Sequence, residues 1–283
     1  MIQWWCSAAG TPWTWAWRPY PGVWIFVAAL AVAWVIAVRR AAGGSARDSG
    51  KPAWYFAGVA LLWFALDWPL GALAGYLASA HMAQFLLIAF TAPPLMIIGL
   101  PRLDATTQPS RFERVATHPL ITLVAFNVAV IATHLPVVTD TLMPTQTGSL
   151  LINLLWLGAG LLFWWPVLMP HAHHWFSPPV RMAYLFANMV FMTAPGAMIT
   201  FSDLPIYATY ELAPPIPGFS PIDDQRFAGL NMRVGTAVVS WLAISVMFLR
   251  WNRDEVRLME EEAGAARHSP PDVRSAADGS RER

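Results

Sequence analysis

Charge is what this chain has least of. Only 12% of its 283 residues are Asp, Glu, Lys or Arg, about half the share in an ordinary soluble domain, and Lys51 is its single lysine. So little charge, beside 56% hydrophobic residues and a mean hydropathy of +0.45, excludes a disordered chain, a nucleic-acid-binding domain and an ordinary soluble enzyme. Cysteine is nearly missing as well: Cys6 stands alone, so no disulfide can form within the chain. The P-loop, H-E-x-x-H, G-x-S-x-G and C-x-x-C patterns are all absent, which removes the commonest nucleotide, metalloprotease, hydrolase and thiol-redox sites. Because Lys51 lies between apolar stretches, no lysine within a span can carry retinal as a Schiff base. No basic segment precedes the first apolar run, which follows Pro19-Tyr20-Pro21, and no small-residue cleavage site follows it. The sequence therefore predicts a retained span there and not a cleaved signal.

What is abundant is apolar length. Seven stretches are long enough, or nearly so, to cross a hydrocarbon core of about 30 Å: 22–38, 53–68, 77–98, 119–139, 149–168, 180–201 and 227–249. The second is short and stops at Asp67-Trp68-Pro69, at the level of the interface. The pattern predicts an all-α, polytopic membrane bundle of about seven helices. Orientation follows from Lys and Arg, which collect on the cytoplasmic side. With the amino terminus outside, fifteen of the eighteen basic residues fall inside: Arg39, Arg40, Arg47 and Lys51, then Arg102, Arg111 and Arg114, then Arg181, then the seven arginines from Arg250 onward. Only Arg18, Arg226 and Arg233 are left near the outer side, so the expected topology is N-out and C-in.

Three regions follow: an outer Trp-rich segment at 1–21, a membrane domain at 22–250, and a charged cytoplasmic tail at 251–283. Trp4, Trp5, Trp13, Trp15 and Trp17 suit an interfacial belt. The outer loop 202–226 carries Pro205, Pro214, Pro215, Pro217 and Pro221, which predicts a rigid cover. It closes on Ser220-Pro221-Ile222-Asp223-Asp224, a helix start with a Ser cap, Pro at the first position and acids against the positive end of the dipole. The tail starts as a helical extension and is expected to become disordered from about residue 263.

Ionisable residues inside a span are costly and need a reason. His81 opens the third span and His134 closes the fourth, both within about two turns of the outer surface. Asp67, Asp140 and Asp203 stand at the same level. Met82 and Met143 can approach that layer, and imidazole with thioether suits copper in its cuprous state. The plainer alternative is that the histidines hydrogen-bond a neighbouring helix and the methionines fill space. A facing imidazole pair would also suit a haem. The densest cluster, His171-Ala172-His173-His174, falls in an inner loop, where a divalent metal is conceivable but a solvated segment is the commoner outcome. Arg233 lies about two turns into the last span and should snorkel outward or pair with Asp203, Asp140 or Asp224. Pro93-Pro94 predicts a kink in the third span, and Gly71-x-x-x-Gly75 and Gly158-x-Gly160 are weak helix-contact signals.

Taken in order, several segments resemble one family. His81-Met82-Ala83-Gln84, Ala92-Pro93-Pro94-Leu95 and Gly99-Leu100-Pro101 look like the signature of the CtaG-type cytochrome c oxidase assembly factors. His134-Leu135-Pro136, Leu162-Phe163-Trp164-Trp165-Pro166, Ile206-Tyr207 with Tyr210, and Ser220-Pro221, Asp224-Gln225 and Ala228-Gly229 follow in the family's order. The resemblance covers roughly residues 12–250. It implies a non-catalytic bacterial inner-membrane protein that assists assembly of a haem–copper oxidase and handles copper on the outer face. There are departures. The family's third span usually reads H-x-x-x-H, and Phe85 takes the second place; Ser149 and Asn153 stand where the family tends to carry histidines; Arg233 replaces a commoner aromatic residue. The expected metal set is accordingly His81 and His134 with Met82 or Met143. Asp67, Asp140, Asp203, Asp224, Gln225 and Arg233 are expected around it or at the docking surface for an oxidase subunit. Two alternatives stay open: a copper-independent scaffold, and a carrier for a metal ion or small solute. Charges kept at the rims count against a carrier, whose ionisable groups belong near the midplane.

Overall fold

The structure of the protein, a computed structural model, describes residues 3–8, 10–42, 51–101, 110–169, 175–218 and 220–268. Among these every regular element is helical. Helix α1 spans Pro21–Ala42 and α2 Pro52–Leu66; a single turn, α3, follows at Leu70–Leu73. Helices α4 (Ala78–Phe85) and α5 (Ala92–Gly99) flank a π-helical stretch, Leu86–Thr91. Then come α6 (Arg111–Ala116), α7 (Pro119–Thr133), α8 (Pro136–Leu142), α9 (Gln146–Leu168), α10 (Pro178–Phe201), α11 (Ala208–Glu211) and α12 (Pro221–His268).

Five of these helical runs are long and apolar enough to cross a membrane: Pro21–Arg40, Ala78–Gly99, Gln146–Leu168, Pro178–Phe201 and the first part of α12. The fourth of the seven stretches is a pair, α7 and α8, bent by 67°. The second is α2, whose 15 residues reach about 22 Å and fall short of a hydrocarbon core. The count of continuous crossing helices among the described residues is therefore five, or six if the bent pair is one span, where hydropathy alone predicts seven.

The span Ala78–Gly99 is the axis of the bundle: 67% of its apolar window is buried, against 6% for α1. It packs on α2, α9 and α12, while α10 lies along α12 and α7 along α9. Pro93 and Pro94 donate no N–H, so the carbonyls one turn earlier lose their helical partners. The backbone answers ahead of the prolines by winding as a π-helix over Leu86–Thr91, with the Thr91 hydroxyl donating to the Leu86 carbonyl at 3.1 Å. The irregularity thus sits one turn before the expected kink. The Ala89 carbonyl, which Pro93 cannot satisfy, presses on Gly160 of α9, where any side chain would collide with it. Gly158 has open space instead.

The bend between α7 and α8 has a similar cause. Pro136 opens α8 and cannot donate to the preceding turn, and His134 caps α7 at the break. Two carbonyls freed there are taken by hydroxyls: Thr139 donates to Thr133 at 3.0 Å and Tyr207 to His134 at 2.9 Å. At its other end α12 does not stop near residue 263, as the tail's composition predicts. It continues to His268, through a stretch rich in the strong helix formers Glu and Ala.

Candidate functional site

One end of the bundle gathers the amino-terminal segment, the turn before α4, the α7–α8 bend and the 202–220 loop. Within it, two helix faces confront each other. His81, Gln84 and Phe85 share a face of α4; Ser149, Asn153 and Trp156 recur at helical spacing on α9. Trp156 packs against both histidines. Its ring centroid is 4.9 Å from that of His81 and 5.9 Å from that of His134, and its indole N–H donates to Thr133 Oγ1 at 2.9 Å. Phe85 fills the remaining gap, 5.1 Å from both His134 and Trp156. Both histidines are sealed, with 2% and 4% of their surface exposed.

Hydrogen bonding fixes the state of one imidazole. His134 Nδ1 is 2.7 Å from the Val130 carbonyl, which can only accept, so Nδ1 carries the proton. The tautomer leaves a lone pair on Nε2, a buried atom with no partner. His81 Nδ1 is likewise buried without a partner. Two buried ring nitrogens without hydrogen-bond partners, on separate helices, are therefore present.

Beside them lies a buried polar cluster covered by the amino-terminal segment. Gln146 Oε1 accepts from the amides of Trp4 and Trp5 at 2.7 and 3.1 Å, and the Ala8 amide donates to the Met143 carbonyl at 3.0 Å. These bonds insert Trp5 and Cys6 into the bundle, each 1% exposed. Gln84 Nε2 donates to the Ala65 carbonyl at 3.0 Å and to Cys6 Sγ at 3.6 Å; Asn153 Nδ2 approaches the same sulfur at 4.0 Å, and the Ser149 hydroxyl also faces it. Burial is the main force on this thiol and pushes it from 9.0 up to about 12. Gln84 Oε1, Ser149 Oγ and Asn153 Oδ1 have no partners.

The 202–220 loop forms the roof. Asp140 accepts from the amides of Ala208 and Thr209 at 3.2 and 2.9 Å. Gln225 accepts from the Ile206 amide at 2.6 Å and donates to the Leu204 carbonyl at 3.2 Å. The Tyr207 hydroxyl is tied to the His134 carbonyl, and the Tyr210 ring rests on His81 at 5.9 Å. Burial pushes both phenols well above their ordinary value. Asp224 reaches across from α12 to cap α4, accepting from Ala78 N at 2.6 Å, from Ser79 N at 3.2 Å and from the Ser79 hydroxyl. Asp224 and Gln225 are thus buried braces that act on the roof from beneath.

The other anticipated residues scatter. Asp67 accepts from Trp24 Nε1 at 2.8 Å through one oxygen, while the other is buried and unpartnered. Asp203 is exposed. Arg233 packs its stem against Gly196 of α10, and among the described residues it forms no ion pair with Asp203, Asp140 or Asp224; the last two already accept backbone amides. Met82 is fully buried, but it follows His81 by about 100° around α4 and so points away from it. Met143 is also buried and joins the site through its carbonyl. His171, His173 and His174 lie outside the described residues. Among the described residues no three His, Cys, Asp or Glu side chains converge as a metal site.

Sequence reasoning missed Trp156 and Cys6. The signal for Trp156 was its i, i+4, i+7 spacing from Ser149 and Asn153, a polar stripe in an apolar helix. Nothing local pointed to Cys6, because 78 residues separate it from Gln84. Two cavities flank this region. The larger, about 520 Å³ and lined by Ser79, Ala80, Phe227 and Asn231 among others, touches none of the rings around the histidines. The smaller, about 230 Å³, includes Tyr210 in its wall.

A family profile described as cytochrome c oxidase caa3 assembly factor matches residues 29–254. No curated protein and no solved structure matches the chain.

Proposed function

Since the chain belongs to the caa3-type cytochrome c oxidase assembly factors, we propose that it binds Cu(I) between His81 and His134 and passes it to an oxidase subunit. The observation that carries this reading is the pair of buried, unpartnered ring nitrogens, one on α4 and one at the α7–α8 bend. Leaving such atoms unsatisfied costs about 1–3 kcal/mol each, so their retention argues for a ligand. Cuprous ion accepts soft, low-coordinate sites, and a ring oriented through its other nitrogen, as that of His134 is, suits transient binding. The carrying step is ligand exchange; no bond of a substrate is made or broken, and the role is not enzymatic.

The site belongs on the outer face of a bacterial inner membrane, in a chain that crosses seven times with its amino terminus outside. Helix direction supports this. Arg39 and Arg40 end α1, Arg181 begins α10 and Arg250 lies far along α12, all at the end away from the histidines, as the positive-inside rule requires of the cytoplasmic side. Short α2 crosses with the help of the turn that follows it, and α7 with α8 makes one bent span.

A copper-free scaffold is the second reading, favoured by Phe85, which occupies the space beside His134 with a ring that cannot ligate. Anaerobic loading of the detergent-purified protein with Cu(I), followed by metal analysis, separates the two. The parent is expected to hold about one copper more than the His81→Ala/His134→Ala variant. No copper in either protein selects the scaffold. Copper retained in both moves the site to His171, His173 and His174.

A further inference from the structure

A buried pair of imidazoles needs a way in. On one side the pair is closed by Phe85 and Trp156, which are packed on each other. The amino-terminal segment closes another side and is fastened at Gln146 and Met143. Toward the 202–220 loop the side chain in contact with His81 is that of Tyr210. Tyr210 lines the 230 Å³ cleft on one side and lies against the His81 ring on the other.

The two tyrosines of this roof differ in how they are held. Tyr207 is anchored through its hydroxyl to the His134 carbonyl, whereas the Tyr210 hydroxyl is buried and has no partner. Nothing polar therefore holds the Tyr210 ring where it is. The rest of the cleft is stiff: Pro214, Pro215 and Pro221 fix its far wall, and Leu77 begins the turn into α4, with the His81 amide donating to the Leu77 carbonyl at 3.1 Å. Glu211 sets a negative charge in the cleft wall, which favours a cation there.

We propose that this cleft is the port through which a monovalent cation reaches His81, and that the Tyr210 side chain is its gate. Rotation of one ring about its own bonds joins the cleft to the imidazole, with the loop backbone left in place. The inference rests on the copper reading of the histidine pair, but the connection it asserts can be tested without copper.

In a Cys6→Ala, His81→Cys background, the new thiol reports access to the position of the imidazole. Its rate of modification by a small cationic thiosulfonate reagent would be measured with Tyr210 intact and in the Tyr210→Phe and Tyr210→Ala variants. The phenylalanine variant keeps the ring and should label as slowly as the protein with Tyr210. The alanine variant should label at least tenfold faster, and adding Ala213→Trp, which fills the cleft, should reverse the gain. Equal rates with Tyr210 intact and with Tyr210→Ala, in proteins that remain monodisperse, overturn the gate. A gain that Ala213→Trp leaves untouched overturns the port. Should the alanine variant fail to fold, Tyr210→Leu supplies the shortened side chain with less loss of packing. Cu(I) loading of Tyr210→Ala on the native histidines then gives a faster rate at unchanged stoichiometry. If no copper binds at all, the copper reading falls and the labelling result still decides the port.

Discussion

Single residues at the histidine end are defined by what surrounds them more than by their own chemistry. Cys6 is the clearest instance. Its thiol is enclosed by Gln84, Ser149 and Asn153, with only 1% of its surface exposed, and burial raises it to about 12. Reactivity of a thiol follows its thiolate fraction and its access, and here both are low. Cys6 should therefore resist alkylation by maleimide at pH 8 in the folded protein and react within minutes once the detergent-solubilised chain is unfolded, as mass spectrometry would register. The sign for stability is equally definite. A folded-state value raised above the ordinary 9.0 means that the thiol favours the native state at neutral pH. That contribution is lost as pH climbs from about 9 toward about 12, and Cys6→Ala should flatten the loss in an alkaline melting series. His134 is read in the same way: the Val130 carbonyl settles which nitrogen bears the proton, and so which one is free to bind.

At the scale of elements, departures from regular helix place the site. The π-helical stretch before Pro93 and the bend before Pro136 both arise where proline withholds a donor. The first fixes how the third span meets α9, through the contact of the Ala89 carbonyl with Gly160. The second ends α7 at His134 and turns its carbonyl toward Tyr207. Gly158 and Gly160 of α9 should accordingly respond in opposite directions to the same change. Gly160→Ala forces a methyl group onto backbone and should cost about 1–3 kcal/mol, seen as a lower midpoint of thermal unfolding in detergent. Gly158→Ala meets open space and should raise the midpoint, since alanine is better than glycine in a helix interior by about 1 kcal/mol. Similar midpoints for the two variants would mean that the Ala89 carbonyl does not press on α9.

For the whole molecule, the asymmetry of its two ends is the main feature. The braces and the histidines, with the unpartnered groups of Gln84, Ser149 and Asn153, collect at one end, and the arginines of α1, α10 and the α12 extension at the other. Helix α12 has 48 residues and runs about 72 Å, more than twice a hydrocarbon core, so it must project well beyond the bilayer on the arginine side. Reporter fusions check the orientation: alkaline phosphatase, active only outside, should be silent after residue 268, and a fluorescent protein there should glow. A bright phosphatase fusion at that position would invert the topology and place the histidine pair in the cytoplasm.

The all-helical class with several apolar helices long enough to cross a membrane, and the position of His81 and His134 near the ends of their helices, were legible because each depends on composition along a single segment. Hydropathy also found the lengths, although it could not tell that the fourth stretch bends by 67° or that the second is only 15 residues of helix. A bend depends on which carbonyls find new donors, and Tyr207 is 73 residues away from the one it serves. For the same reason no sequence window could bring Cys6 to Gln84, or Asp224 to the start of α4 across 146 residues. Tertiary structure alone decided that Trp156 packs against both histidines, that Asp224 and Gln225 are buried as braces, and that Tyr210 touches both His81 and the cleft. Periodicity along one helix tells which residues share a face; it carries no information on which face of another helix will meet it.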